Sequence, residues 1–524
     1  MTEDTSPAAG ADDVVIDPWG SSTIADYRKL FEEFGIEEFD AILPEVPAPH
    51  YLMRRAIIFG HRDYGRVVEA MQNDQPYAAL SGFMPTGDPH IGHKLVFDEL
   101  LWHQQQGGDT YGLIADLEAH SARGLTWAEI NEHARDYLLS LLAFGFDPEE
   151  GTLYRQSTNR EVQDLAFELG IEANFSELGA IYGFDGETDV SHMQSVITQV
   201  ADILYPQLDE PKPTVIPVGP DQDPHMRLSR DIASRMRYFG VTTAYASFEA
   251  EPAERRLIGR AHEALVDATG DEAAEEVGSS AEDATAGDDG QPRCEDAAEW
   301  LEDEVEPSET RSGAVRKLRA AGKEPLRPRV RFLDRKATDD AFQALIEAVE
   351  GEKRVYDEHV DAFELSLEDA EGLAREIEVE NGGHGFILPS SIYHRFMTGL
   401  TGGKMSSSVP ASHISLLDNP EVGREKVESA TTGGRETAEK QRELGGEADK
   451  CPVYELYAYL LAGDDDEYAQ RVYDECVGGE RLCGACKTEA GELMEEFLAD
   501  HQEKREEMEP VLEELAVEIE PDRV

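Results

Sequence analysis

Tyr77-Ala78-Ala79-Leu80-Ser81-Gly82 is a short apolar run ending in a glycine, and Pro85-Thr86-Gly87-Asp88-Pro89-His90-Ile91-Gly92-His93 follows almost at once. The run predicts a buried strand. Pro85, Thr86, Gly87 and Asp88 read as a turn, and from Ile91 to about Gln106 the apolar residues Leu95, Leu100 and Leu101 predict a helix. A strand over Thr110 to Asp116 comes next, then a helix from Thr126 to Phe144 closed by Gly145-Phe146-Asp147, and αβ alternation continues to Ile216. That alternation predicts an α/β, Rossmann-type parallel sheet with its ligand at the carboxyl ends of the strands. The first such end is Ser81-Gly82, immediately before the two histidines.

With 524 residues the chain exceeds one ordinary core, so several domains are expected. Residues 1–20 read as an acidic tail and 21–75 as a helical extension, with Leu30, Phe31, Phe34 and Ile36 at helical spacing. The catalytic Rossmann domain is expected over 76–263 and again over 385–417. Between them, 264–384 reads as an insertion. Its first part, to about residue 310, is rich in Ala, Gly, Ser, Asp and Glu, as in a flexible acidic loop, and Arg311 to Lys336 then reverses sign. Helical spacing resumes from Asp339 to Glu350. Residues 418–524 form a helical C-terminal domain, with an apolar stripe at Tyr454, Leu456, Tyr457, Leu460 and Leu461.

There are 110 acidic against 47 basic residues, a formal net charge of -63 spread along the chain. Concentrated salt screens such self-repulsion, and the charge reads as salt adaptation. Because 40% of residues are hydrophobic and fall in periodic runs, the acidity does not imply disorder. No apolar stretch reaches the ~20 residues that span a bilayer, and the acidic start lacks the features of a signal peptide. A cytoplasmic protein with no membrane association is expected.

Two segments carry chemistry. Pro89 suits a first helical turn, whose free N–H groups and dipole favour an anion. His90 and His93 share one face of that helix and can point at phosphate oxygens; Gly92 lets a nucleotide approach the backbone, and Thr86 adds a hydroxyl. Far along the chain, Lys404-Met405-Ser406-Ser407-Ser408 follows Thr401-Gly402-Gly403 as a polar loop whose lysine suits the charge developing on a leaving pyrophosphate. Together they read as a site for ATP phosphates. Alone, the histidines also fit surface or capping roles, and the serine loop an ordinary linker.

In this order and setting, the two segments resemble the His-Ile-Gly-His and Lys-Met-Ser-Lys-Ser signatures of class I aminoacyl-tRNA synthetases. The fourth position of the second is Ser407 rather than lysine, which leaves Lys404 as that motif's only cation. More narrowly, the chain resembles tryptophanyl-tRNA synthetases of the archaeal and eukaryotic kind. The similarity lies in Ser81-Gly82 through His93, in Asp221-Gln222-Asp223-Pro224-His225 with Arg227 and Arg230-Asp231, and in Gly433-Gly434-Arg435-Glu436-Thr437 with Gln441-Arg442 and Gly445-Gly446. It covers roughly 75–250 and 385–510, and the stretch between looks like an insertion peculiar to this lineage.

The resemblance implies ATP with Mg²⁺, L-tryptophan and tRNA(Trp) as substrates, a two-fold homodimer, and a C-terminal domain that reads the anticodon. It implies His90, His93 and Lys404 as catalytic residues, with Thr86, Gly92, Met405, Ser406 and Ser407 also at ATP. Gln222 and Gln199 would line the amino-acid pocket and Glu118 would bind the ammonium. Tyrosine activation stays open, because Gln199-Val200-Ala201-Asp202 also resembles tyrosyl-tRNA synthetases, although Ser195 stands where that family usually has tyrosine. A nucleotidylyltransferase and a non-catalytic RNA-binding paralogue are further alternatives. Cys483-Gly484-Ala485-Cys486, with Cys476 and Cys451, has one pair at zinc-knuckle spacing; reduced thiols without metal are the preferred reading over zinc. The ten cations of Arg311 to Lys336 would either steer tRNA or neutralise the acidic insert.

Overall fold

Ala78-Ala79-Leu80-Ser81 are all buried, which a strand achieves when it has neighbours on both edges and cover on both faces. The structure is a computed structural model and describes residues 31, 34–244, 329–403, 405 and 409–519. Among these residues the strands are β1 (Glu37–Glu38), β2 (Ile58–Arg62), β3 (Ala78–Phe83), β4 (Asp109–Ile114), β5 (Gly151–Arg155), β6 (Thr214–Val218), β7 (Phe239–Ala244), β8 (Arg329–Asp334), β9 (Lys353–Val355), β10 (His359–Ala362) and β11 (Ser390–His394). They form a seven-stranded sheet, ordered β1-β2-β11-β6-β3-β4-β5, and a four-stranded sheet, ordered β7-β8-β10-β9.

In the larger sheet β11, β6, β3, β4 and β5 are parallel, as the alternation predicts. The chain steps outward from β3 through β4 to β5 and returns to place β6 on β3's other edge. That reversal opens a crevice at the carboxyl ends of β3 and β6, where α/β sheets bind their ligands. The helices that line it are Ile91–Gln105, Asp116–Arg123, Val190–Leu204 and Asp223–Met236. The helix Trp127–Ala143 starts at a capping box in which Thr126 and Glu129 satisfy each other's N–H groups.

Among the described residues of 21–75, Phe31 and Phe34 are helical as expected, but residues 37–75 depart from a purely helical extension. They contribute β1 and β2, which pair antiparallel along one edge of the sheet, and the helices among them are the short Phe39–Ile42 and Tyr51–Arg54 and the longer Gly65–Gln72. Ile57-Ile58-Phe59 is an unbroken buried run, and so short a run has no period that separates strand from helix.

The C-terminal segment is helical as expected, but it belongs to the same compact unit as the sheet, which comprises the chain up to Met236 and from Phe386 onward. One apolar core runs from Phe39 and Tyr64 through Leu100 and Tyr137 to Tyr457, Leu498 and Leu512. The long helix Cys483–Ile519 packs on Trp127–Ala143: the rings of Phe144 and His501 stack at 4.2 Å, and Arg505 donates to Ser140 Oγ at 2.6 Å and to Asp136 Oδ1 at 2.7 Å.

Arg237–Gly385 is a second unit. Its antiparallel sheet and the helices Asp339–Ala348 and Leu367–Glu380 enclose Phe239, Phe332, Leu345, Val360 and Ala374. The stretch expected as an insertion therefore holds a folded α+β body whose first strand begins before residue 264. The acidic run at 264–310 lies outside the described residues, as does the basic island up to residue 328. Within the described end of that island, Arg329 and Arg331 lie 3.2 and 2.7 Å from the buried Asp361, so these two cations serve as internal counter-charge.

Candidate active site

The turn after β3 delivers His90 to the N-cap of the helix Ile91–Gln105 in extended geometry. His90 Nδ1 accepts from Gly92 N–H and His93 Nδ1 from His90 N–H, both at 3.1 Å. Their ring centroids lie 3.9 Å apart, with His413 5.1 Å from His90. Burial holds both imidazoles neutral: His90 sits far below its ordinary value, with His93 and His413 adding to the effect, and His93 is pushed down to about 4. A neutral ring whose Nδ1 accepts carries its hydrogen on Nε2. His90 thus presents an Nε2–H donor, while His93 Nε2 is 3.2 Å from the Tyr137 hydroxyl. Gly92 is required by the cap itself: a Cβ there would lie 2.9 Å from His90 Cε1 and 3.6 Å from Met405 Sδ.

That second contact shows how the two distant motifs meet. Ile91 N–H donates to Ile414 O at 3.1 Å and Leu416 N–H to Pro89 O at 2.8 Å, so the segment following the serine loop pairs antiparallel with the histidine turn. Met405 is buried, its N–H donates to Met397 O at 3.4 Å, and its side chain faces the crevice beside Thr86 and Gly92. Lys404, Ser406 and Ser407 lie outside the described residues.

A cavity of about 460 Å³ runs from His90, Gly92 and Thr86 along the ends of β3 and β6 to Glu118, Gln199 and Gln222. Its size suits a small-molecule ligand. Glu118 comes from the helix Asp116–Arg123, Gln199 from Val190–Leu204, and Gln222 from the turn Pro220–Gln222. Gln199 Oε1 is buried with no hydrogen-bond partner among the described residues, an acceptor left for something else. Glu118 is pushed up to about 7 by burial, against the lowering effect of Gln156. A larger groove of about 740 Å³ opens between Arg54, Arg395, Tyr454 and Tyr473, away from the histidines.

Several residues at the site had no assigned role in the adopted reading of the sequence; Asp202 and Ser195 entered it only through the tyrosyl-like segment. Asp202, 1% exposed, accepts from Tyr154 OH at 2.9 Å and Gln156 Nε2 at 2.6 Å, and burial raises it well above the ordinary carboxylate range. Ser195 and Ser121 hydroxyls lie 3.0 Å apart. Asp223, beside Gln222, is wholly buried, accepts from Arg62 at 2.7 Å and Tyr393 OH at 2.6 Å, and forms an ion pair with Arg227 at 3.0 Å, which ties the helix Asp223–Met236 to β2 and β11. Asp223 was visible as part of a motif; its partners were not. Gln156 and His413 carried no local signal.

The structure also gathers Cys451, Cys476, Cys483 and Cys486 around one void of about 10 Å³, against Gly433 and Gly434. Burial raises Cys476 and pushes Cys486 up to about 11, so both favour the thiol form. Among the described residues the one group of three whose ligand atoms lie within 4.8 Å of each other is Asp88, His133 and Asp136, which contains none of these thiols.

A Rossmann-type sheet with this histidine turn at its switch point, joined to the distant Met405 and Ile414–Leu416, defines a class. The family model for class I tRNA synthetases (W and Y) matches residues 72–251 and 366–499. A tryptophan–tRNA ligase of Halobacterium salinarum is 66% identical over 528 residues, with both chains covered completely. That of Methanosarcina acetivorans is 44% identical over 94% of this chain and 96% of its own. The crystal structure of tryptophanyl-tRNA synthetase from Aeropyrum pernix superposes with a TM-score of 0.63 at 30% identity, covering 97% of this chain and all of that one. The chain belongs to the tryptophanyl-tRNA synthetases. The family model leaves 252–365 unmatched, whereas the archaeal alignments extend across nearly the whole chain. No described helix is long and apolar enough to cross a membrane.

Proposed function

We propose that the chain activates L-tryptophan with Mg-ATP to tryptophanyl-adenylate and transfers it to the terminal ribose of tRNA(Trp). What supports this reading is the pairing of Pro89–Ile91 with Ile414–Leu416, which brings the histidine turn against the segment after the lysine motif, on a cavity lined by His90, His93 and Met405 together with Glu118, Gln199 and Gln222. Phosphates sit near the helix N-terminus, where His90 Nε2–H and Thr86 donate and the helix dipole favours an anion. Lys404 meets the charge that grows on pyrophosphate as its bond to the α-phosphorus breaks.

The substrate ammonium pairs with ionised Glu118, and the glutamines give the bound amino acid acceptors and donors in a dry cleft. The tryptophan carboxylate attacks the α-phosphorus and pyrophosphate leaves. The side chains form no covalent bond in this step, so positioning and charge stabilisation supply the rate. The C-terminal helices read the anticodon, the protein works as a homodimer in the cytoplasm, and Mg²⁺ enters with ATP.

The test is pyrophosphate exchange in molar salt with tryptophan, with tyrosine and with neither. Exchange that depends on tryptophan and not on tyrosine is expected; equal rates with both amino acids would overturn the assignment.

A further inference from the structure

Gln156 is the first residue after β5 and is 0% exposed. Its amide nitrogen lies 2.9 Å from Glu118 Oε1 and 2.6 Å from Asp202 Oδ2. An amide NH₂ has two hydrogens, and here each goes to a different carboxylate. Glu118 settles which way the amide faces, because its ionised form has no proton to offer a carbonyl oxygen; Asp202, raised well above the carboxylate range by burial and by Glu118, keeps its own proton and accepts the second amide hydrogen. In the observed orientation Oε1 is buried and has no hydrogen-bond partner among the described residues. The molecule thus leaves one buried acceptor unsatisfied in order to give both acids a donor.

The backbone fixes Gln156 on both sides. Its N–H donates to Ile114 O at 3.1 Å at the end of β4, and its carbonyl accepts from Gln163 Nε2 at 2.8 Å. Glu118 and Asp202 come from two helices, and the Gln156 side chain bonds to both. Both acids line the cavity.

We propose that Gln156 is a positioning residue for the amino-acid substrate: by donating one hydrogen to each of Glu118 and Asp202, it keeps Glu118 oriented and anionic toward the substrate ammonium. The inference rests on the role given to Glu118 above. Other groups facing this pair bear on its titration. Asp116, on the same helix, raises Glu118 but is itself bound to Ser157 N–H at 3.0 Å. Arg155 offsets Asp116 from β5, and Tyr154 donates to Asp202. From the remaining helices come Tyr182 and His225, which bond each other at 2.8 Å, and Arg123 lines the same cavity.

The experiment replaces Gln156→Met, which keeps the length and removes the donors, and measures exchange from pH 6 to 9 in molar salt. The Michaelis constant for tryptophan at pH 7 should rise about fivefold, the acid limb of kcat/KM moving up by about one pH unit. The constant for ATP should stay within about twofold, and kcat at saturating tryptophan within about threefold. At pH 9, where Glu118 ionises without help, the variant should return to the unmodified level, which a purely structural loss would not do. An unmoved acid limb, or a defect of equal size at every pH, would overturn the proposal. Gln156→Glu gives the same test should Gln156→Met not fold: it has one donor at most, so the limb must again move up, and a limb that stays in place overturns the idea. If the unmodified protein shows no tryptophan-dependent exchange, the underlying reading has failed; if it does and the variants match it, this proposal alone has.

Discussion

Tryptophan binding is predicted to weaken about tenfold between pH 8 and pH 6, with Glu118 as the cause. Its carboxyl is buried on the cavity wall and pushed up to about 7, and only the anion pairs with an ammonium. Above pH 8 nearly every molecule has that anion; at pH 6 roughly one in ten does, so the apparent dissociation constant grows by about that factor. Binding at intermediate pH therefore expels a proton. The sign for stability is the reverse: the folded value lies above the ordinary 4.5, so the contribution of Glu118 to the empty protein is complete at low pH and is lost as pH rises through about 7. Ionising it there costs roughly 3 kcal/mol, which the arriving ammonium offsets. Calorimetric titration with tryptophan in molar salt, in buffers of differing ionisation enthalpy, reads both the affinity and the released proton. Affinity that is flat from pH 6 to 8, with no proton released, would refute the reasoning, as would Glu118→Gln binding tryptophan as well as the unmodified protein.

Asp223→Ala removes the acceptor of Arg62 and Tyr393 and the ion-pair partner of Arg227; because the partly buried Arg62 loses its counter-charge, a loss of about 3–5 kcal/mol is expected, seen as a lower thermal midpoint in molar salt, and an unchanged midpoint would count against the hub role. Gly92→Ala sets a methyl 2.9 Å from the His90 ring; displacing that imidazole should slow adenylate formation by about a hundredfold in single turnover while tryptophan binding persists, and an unaltered rate would show that His90 does not donate to the phosphates. Lys404→Ala should slow the same step by about a hundredfold with tryptophan affinity near normal, since its charge counts most in the transition state; an unchanged single-turnover rate would give the loop another role.

Much of the catalytic half was legible because its signals are local. The strand, turn, cap and helix from Tyr77 to Gln105 lie within one short stretch, and each follows from neighbours a few residues away: a buried run, turn residues, and a ring that caps its own helix. Glu118, Gln199 and Gln222 entered as candidates only through family resemblance, since a glutamine on a helix carries no chemical signal by itself. The edge strands were missed because Ile57-Ile58-Phe59 is too short to show a period. Within 264–384, read as an insertion, the strands β8, β9 and β10 were not foreseen, because each is too short and too charged to stand out beside the acidic and basic runs that precede them.

By itself the sequence determined the parallel α/β core, the helical C-terminal segment and the position of the histidine turn at a strand's carboxyl end, because periodicity, capping and turn sterics act over a few residues. Only the tertiary structure decided which groups share the site. Asp223 meets Arg62 across 161 residues and Tyr393 across 170, Gln156 reaches Glu118 and Asp202 from a different strand, and Ile414 pairs with Ile91 across the whole catalytic fold. A buried polar group must find a partner or bear the cost of desolvation, and which partner is within reach depends on the packing of the finished sheet and its helices, not on spacing along the chain.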